Sequence, residues 1–299
     1  MSLTTYAPGK LNLCLFLGPT RPDGLHEIAS LFDSVSLHDT LSIHQLDAGE
    51  DRVLCRGVDG ENLASRALRA CREAGLLTGR PVEVVIQKRI PVAAGMGGGS
   101  ADAAATLRLV GELEGRPAED FQRLAFALGA DVPSQLTPGA SLVHGAGERV
   151  TAIDPRCLSD AGRSYVIIAQ PNGLGTAEVF QQADRAGLPE ASIADRENML
   201  LETVSGGVGF AELCALVENA LEPAILALRP ELAEVPRALR DHGAAVAALT
   251  GSGPTCFGIF AEADDAERAA AGLTSAGHDA HVATPVGAEF AAVRPFEAG

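Results

Sequence analysis

Between Ile90 and Leu107 the chain reads IPVAAGMGGGSADAAATL, with glycine at four of the five positions 95–99 and an alanine-rich run directly behind. Upstream, PVEVVIQKRIPV has the β-branched content of a strand, and downstream Ser100 to Glu114 is built from good helix formers. Strand, glycine turn and helix in immediate succession let backbone N–H groups point inward while the helix N-terminus adds partial positive charge. That arrangement suits an anion, and Ser100, at the N-cap or in the first turn, can reach a phosphate oxygen or a magnesium ion. A tightly packed loop with no ligand would need the same glycines, so the motif alone leaves both readings open.

Two better-known phosphate loops do not fit. No lysine follows the glycines, as GxxxxGK[ST] requires. The dinucleotide fingerprint would carry a third glycine where Ser100 stands and would open the first βαβ unit. Any anion must nonetheless be held locally, because the net charge is -16 and the pI about 4.8. That balance excludes a broad nucleic-acid or anionic-membrane surface. Lysine occurs only at Lys10 and Lys88. The six cysteines are scattered without metal-ligand spacing, which suits a reducing, cytoplasmic setting. Ala244 to Ala261 is uncharged but centred on TGSGPT, so a strand, a loop and a strand are expected there, not a membrane helix. LNLCLFLG is expected to be a buried strand, not a leader.

Along the chain, LNLCLFL, SLFDSVSL and TLSIHQL predict antiparallel strands separated by turn chemistry such as PTRPDG. Helices are predicted over Asn62 to Leu76, Ser100 to Glu114 and AEDFQRLAFALG, with DVPSQL as a loop and SLVHGAGERV as a short strand pair. Pro, Ser, Asp and Gly cluster near Asp154 to Gly162, which places a boundary between residues 1–155 and 156–299. The second half predicts a strand at SYVIIAQP and helices at FAELCALVENALEPAI and PELAEVPRALRDHG. A helix at DDAERAAAGLTSAG and a strand at HVATPV close it, an α+β order.

The glycine motif resembles that of the GHMP kinases, P-x-x-x-G-[LM]-G-S-S-A-A. It stands here as Pro91, Ala93, Ala94, Gly95, Met96, Gly97, Gly98, Gly99, Ser100 and Ala101. Its run of three glycines is most similar to the branch that phosphorylates 4-diphosphocytidyl-2-C-methyl-D-erythritol. APGKLNLCLFLGPTRPDGLHEIASLF resembles the opening of that branch, LTGSGPTCFGIF its third shared motif, and ENALEPAI its NDLEP segment. The resemblance spans nearly the whole chain and weakens across residues 134–215.

The resemblance implies a two-domain α+β fold. Residues 1–155 would form an ATP-binding domain like domain 2 of ribosomal protein S5, and 156–299 a ferredoxin-like domain that contributes to substrate binding. It implies ATP with Mg2+ as cofactors, Ser100 as the candidate metal ligand, and transfer to the substrate's 2-hydroxyl in the non-mevalonate route to isoprenoids. Lys10 and Asp131 take the catalytic roles. Asn62 and the glycine motif, with Gly251, Ser252 and Gly253 closing over it, bind ATP. Asn12, Leu25, His26, Thr176 and Phe180 contact the substrate. Leu25 replaces the family's tyrosine and removes a stacking surface for cytosine, while Phe180 keeps the other side; Ser134 and Gln135 replace aromatic residues. The expected partner is the small-molecule substrate, with no nucleic acid or membrane, and the chain a monomer or weak homodimer. Another GHMP kinase such as homoserine kinase, a nucleotide-binding protein without catalysis, and a dinucleotide-dependent oxidoreductase stay open as alternatives.

Overall fold

The computed structural model describes residues 1–57, 60–92, 94–158 and 162–297. Two long strands, β1 (Ser2–Thr20) and β2 (His26–Gln45), form its spine, pairing antiparallel from Ser2 opposite His44 to Thr20 opposite His26. The three apolar runs of the N-terminal region therefore merge into two strands, with register shifts at Pro8/Gly9, Asn12/Cys14 and Leu17/Thr20 taking up the irregularities. Burial alternates over Ser2–Tyr6 and then becomes continuous from Ala7 to Gly18, because that part of β1 is covered on both faces.

The first half continues through β3 (Arg52–Cys55), α1 (Leu63–Glu73), β4 (Val82–Gln87), α2 (Gly98–Glu114), α3 (Gln122–Leu128), α4 (Val132–Leu136), β5 (Ser141–Gly145) and β6 (Arg149–Ala152). The second half carries β7 (Ser164–Ala169), α5 (Thr176–Arg185), α6 (Ala194–Ser205), α7 (Phe210–Ala215), β8 (Glu218–Asn219), α8 (Glu222–Leu228) and α9 (Glu234–Asp241). It ends with β9 (Val246–Leu249), β10 (Cys256–Phe260), α10 (Ala263–Ser275), β11 (Asp279–Ala283) and β12 (Arg294–Pro295). The first sheet runs β12-β1-β2-β4-β3, with β5 and β6 added to β2 and β8 to β1. Two short strands from the second half thus complete it.

The second sheet is antiparallel in the order β11-β7-β10-β9, fourth-first-third-second in chain order, the ferredoxin-like arrangement. One apolar cluster packs α1 and α2 against the first sheet, a second joins the two sheets through Leu11, Leu13, Phe16, Ile167 and Phe257, and a third covers the second sheet with α5 and α8 to α10. Both halves meet along β1, which positions the site described below.

Two local expectations are corrected. DVPSQL is the helix α4, with Pro133 in its first turn, where a missing N–H costs nothing. Five residues are too short for periodicity to reveal, and all five are buried. FAELCALVENALEPAI is not one helix: it breaks at β8, whose Asn219 pairs with Leu15, before α8 starts at Glu222 with Pro223 in its first turn.

Candidate active site

Lys10 and Asn12 lie on the doubly covered part of β1, each only 4% exposed. Lys10 Nζ donates to Asn12 Oδ1 at 2.5 Å and to the Gly95 carbonyl at 3.2 Å, and stands 3.6 Å from Asp131 Oδ2. Asn12 Nδ2 donates to Ser30 Oγ, and the Asn12 N–H donates to Thr250 Oγ1. Both polar atoms of the Asn12 side chain are thereby committed, and they hold a lysine that would otherwise sweep many rotamers. Asp131 precedes α4 without capping it, so its carboxylate remains turned to Lys10.

The two glycine loops meet backbone to backbone. Gly95 has φ +75°, and a Cβ there would fall 2.6 Å from the Gly253 carbonyl oxygen and 2.9 Å from that of Thr250. Gly97, the N-cap of α2, has φ +66°; a Cβ would sit 3.2 Å from Lys10 Cε and Cγ and 3.6 Å from Asp131 Oδ2. Its missing side chain is the room that the Lys10–Asp131 pair occupies. Asn219 pins the second loop, its Nδ2 donating at 2.9 Å to the carbonyls of both Leu249 and Gly251.

No side chain caps α2, and the first-turn N–H groups of a helix have no intrahelical acceptor. Gly98, Gly99 and Ser100 border a cavity of about 1040 Å³ that also takes in Lys10, Asp131, Gly251 and Ser252. Uncapped donors, a helix N-terminus and a buried lysine converge there, an environment that fits polyphosphate. Across the cavity, His26 Nε2 lies 2.7 Å from Asp184 Oδ1, and its ring centroid is 5.1 Å from that of Phe180. Leu25 borders the same end, and Thr176 Oγ1 reaches Ser252 Oγ at 3.1 Å, closing the wall between the two ends.

Comparison with known proteins gives this cavity a lineage. The model of the GHMP kinases N terminal domain matches residues 62–139, and that of the GHMP kinases C terminal domain matches residues 208–279. A 4-diphosphocytidyl-2-C-methyl-D-erythritol kinase of Pelotomaculum thermopropionicum is 38% identical over 277 residues, covering 91% of this chain and 93% of the relative. One from Streptomyces coelicolor is 38% identical over 300 residues, covering 96% of this chain and 97% of the relative. The chain belongs to the GHMP kinases, in their 4-diphosphocytidyl-2-C-methyl-D-erythritol kinase branch. A crystal structure of 4-(cytidine 5'-diphospho)-2C-methyl-D-erythritol kinase superposes with a TM-score of 0.75 at 32% identity, covering 95% of this chain and 99% of that one. A homoserine kinase from Cytophaga hutchinsonii, at TM-score 0.70 and 20% identity, shares the fold.

In this GHMP kinase the expected residues do not all border the cavity. Lys10, Asn12, Leu25, His26, Asn62, Pro91, Ala94, Gly95, Gly97 to Ser100, Asp131, Thr176, Phe180, Gly251 and Ser252 do. Met96, Ala101 and Gly253 do not: Met96 is buried in the core between the sheets and offers only its carbonyl, to the Lys10 N–H, while Gly253 packs on Gly95. Ala93 lies outside the described residues. Asn62 Oδ1 is spent capping α1 through the Ser65 N–H at 2.8 Å. Ser100 sits in the first turn of α2, which starts two residues earlier than its sequence predicts. Ser134 and Gln135, which stand where the family has aromatic residues, are buried and do not border the cavity.

Lys88, one of only two lysines, stands in no motif that marks it as functional. Its Nζ bridges Asp39 Oδ2 at 2.5 Å and Asp102 Oδ2 at 2.8 Å beside the glycine loop. Asp39 also accepts from the N–H groups of Arg89 and Ile90, whereas Asp102 Oδ1 is buried without a partner among the described residues. Burial pushes the Asp102 carboxyl up to about 7, against the pull of Lys88 and with the push of Asp39. A carboxyl that holds its proton longer in the fold makes stability fall as pH rises from 3.8, its ordinary value, towards 7. Asp102→Asn removes that dependence, so its gain in Tm over the parent should be larger at pH 8 than at pH 5, by ~2–4 °C for each kcal/mol involved. Thermal unfolding at the two pH values checks this, and equal gains would contradict it.

Proposed function

We propose that this chain is an ATP-dependent kinase that phosphorylates the 2-hydroxyl of 4-diphosphocytidyl-2-C-methyl-D-erythritol in the non-mevalonate route to isoprenoids. The observation that carries the reading is Lys10 held 3.6 Å from Asp131 at the mouth of an uncapped glycine-rich helix N-terminus. Membership of a branch whose relatives carry that activity in their names supports it.

The N–H groups of Gly98, Gly99 and Ser100, with the α2 dipole, would hold the ATP phosphates. Mg2+, when bound, neutralises phosphate charge, and the Ser100 hydroxyl is the side chain that would hold it. Asp131 accepts the proton of the 2-hydroxyl as that oxygen bonds to the γ-phosphorus; the bond from phosphorus to the bridging oxygen breaks and ADP leaves. Lys10 stabilises the charge that develops beside it. Asn62 and Pro91 would border the nucleotide, with Gly251 and Ser252 closing over its phosphates. Leu25, His26, Thr176 and Phe180 would border the cytidine diphosphate.

We further propose residues 1–155 as the ATP-binding domain and 156–299 as the domain that completes the substrate site. The six free thiols suit the cytoplasm, with the protein a monomer or weak homodimer. Among the described residues no helix is long and apolar enough to cross a membrane.

An ADP-coupled assay with 4-diphosphocytidyl-2-C-methyl-D-erythritol, homoserine and a sugar tests the reading. Turnover confined to the cytidine compound is expected, and turnover of homoserine alone would move the chain to another branch. Leu25→Tyr adds an aromatic ring to the cavity that Phe180 also lines. Aromatic pairs contribute about 0.5–1.5 kcal/mol, so KM for the cytidine substrate should fall roughly twofold to thirteenfold. An unchanged or higher KM would place cytosine elsewhere.

A further inference from the structure

Arg108 stands on α2, ten residues beyond its first glycine, and forms no ion pair among the described residues. Its Nη1 donates to the Gln135 carbonyl at 2.5 Å and its Nη2 to the Tyr6 carbonyl at 2.7 Å, while Nε is buried without a partner among the described residues. Gln135 belongs to α4, four residues after Asp131; Tyr6 belongs to β1, four residues before Lys10. One planar guanidinium therefore ties together the two elements that carry the Lys10–Asp131 pair.

We infer that Arg108 is a positioning residue for phosphoryl transfer, its fork setting the spacing of β1 and α4 and hence of Lys10 and Asp131. A half-buried cation without a carboxylate carries a desolvation cost that an apolar side chain of similar volume would avoid. The cation is explained by what it holds. Helix α4 has only five residues and no capping side chain, and its C-terminal carbonyls carry partial negative charge that a guanidinium satisfies. A fork also fixes two acceptors at a set separation, which a flexible ammonium does not.

The inference rests on the catalytic reading of Lys10 and Asp131, and the experiment separates the two. Arg108→Ala and Arg108→Lys are compared with the parent for kcat, KM and Tm, alone and in an Asp131→Asn background. Displacing reacting groups by about 1 Å can cost on the order of 10²-fold, so kcat should fall roughly tenfold to a hundredfold, with KM for ATP within about twofold. In the Asp131→Asn background the same change should cost almost nothing further.

Arg108 borders a cavity of about 300 Å³, which gives methylguanidinium a way into the space left by Arg108→Ala. At tens of millimolar it should restore part of kcat to Arg108→Ala and none to Asp131→Asn. A folded Arg108→Ala protein with parental kcat, or losses that add fully to those of Asp131→Asn, would overturn the inference. If Arg108→Ala fails to fold, Arg108→Lys decides: parental kcat overturns it, and reduced kcat at parental KM supports it. A parent that never phosphorylates the cytidine substrate would instead remove the functional reading on which the inference stands.

Discussion

Asp131→Asn is expected to lower kcat by about 10²–10⁴-fold, the usual contribution of a positioned general base, while ATP still binds. The substitution keeps shape and volume and removes only the charge and the ability to take a proton. Lys10 would then face a neutral amide at the 3.6 Å separation where it now faces a carboxylate. Its contacts to Asn12 and to the Gly95 carbonyl do not involve Asp131, so the lysine itself stays in place. The decisive measurements are steady-state turnover together with ATP binding by calorimetry. A kcat within threefold of the parent would remove Asp131 from the chemistry, and a parallel loss of ATP binding would mean that it shapes the nucleotide site.

Gly95→Ala should have an effect of similar size by a different route. At φ +75° an L side chain is strained by ~1–2 kcal/mol. The collision outweighs that strain, because both near atoms, 2.6 and 2.9 Å away, are backbone oxygens of the TGSGPT loop and no rotamer change relieves them. The loops must part, which moves Gly97 and the start of α2 relative to Lys10. A displacement near 1 Å at such a site is worth on the order of 10²-fold in kcat/KM. Gly115→Ala is the control. It lies at the other end of α2 at φ +63° with no atom of the described residues within 4 Å of a Cβ, so it carries the strain without the collision. That variant should lose about 1 kcal/mol of stability and keep its kcat/KM. Parental kcat/KM for Gly95→Ala would show that the meeting of the loops does not shape the site.

The glycine run, Lys10 and Asp131 are legible in the sequence because each leaves a local mark: four glycines in five positions between a strand and a helix, a scarce lysine in an apolar strand, an aspartate ahead of Val-Pro. The ferredoxin-like order of the second sheet and the membership of the GHMP kinases agree with the resemblance those marks carry. Asn219 lies inside a segment that resembles the family, yet nothing local says that its amide holds the second glycine loop. Helix α4 leaves no such mark, since five residues hold too little pattern and its conformation comes from burial around Pro133. Lys88 and Asp102, fourteen residues apart, give no spacing signal because the strand-to-helix turn between them is what brings them together.

By itself the sequence determined the local chemistry: where the backbone could turn left-handed, where a helix would begin with free N–H groups, and which cation and carboxylate were available. Those follow from sterics and propensity within a few residues. Only the tertiary structure decided that residues 10, 95, 131 and 251 face one cavity, that Met96 and Gly253 support it from behind, and that Arg108 spans the elements bearing the reactive pair. These are contacts across tens to hundreds of residues, set by how two sheets and their helices close on shared cores, and no local rule encodes which side chains such a closure brings together.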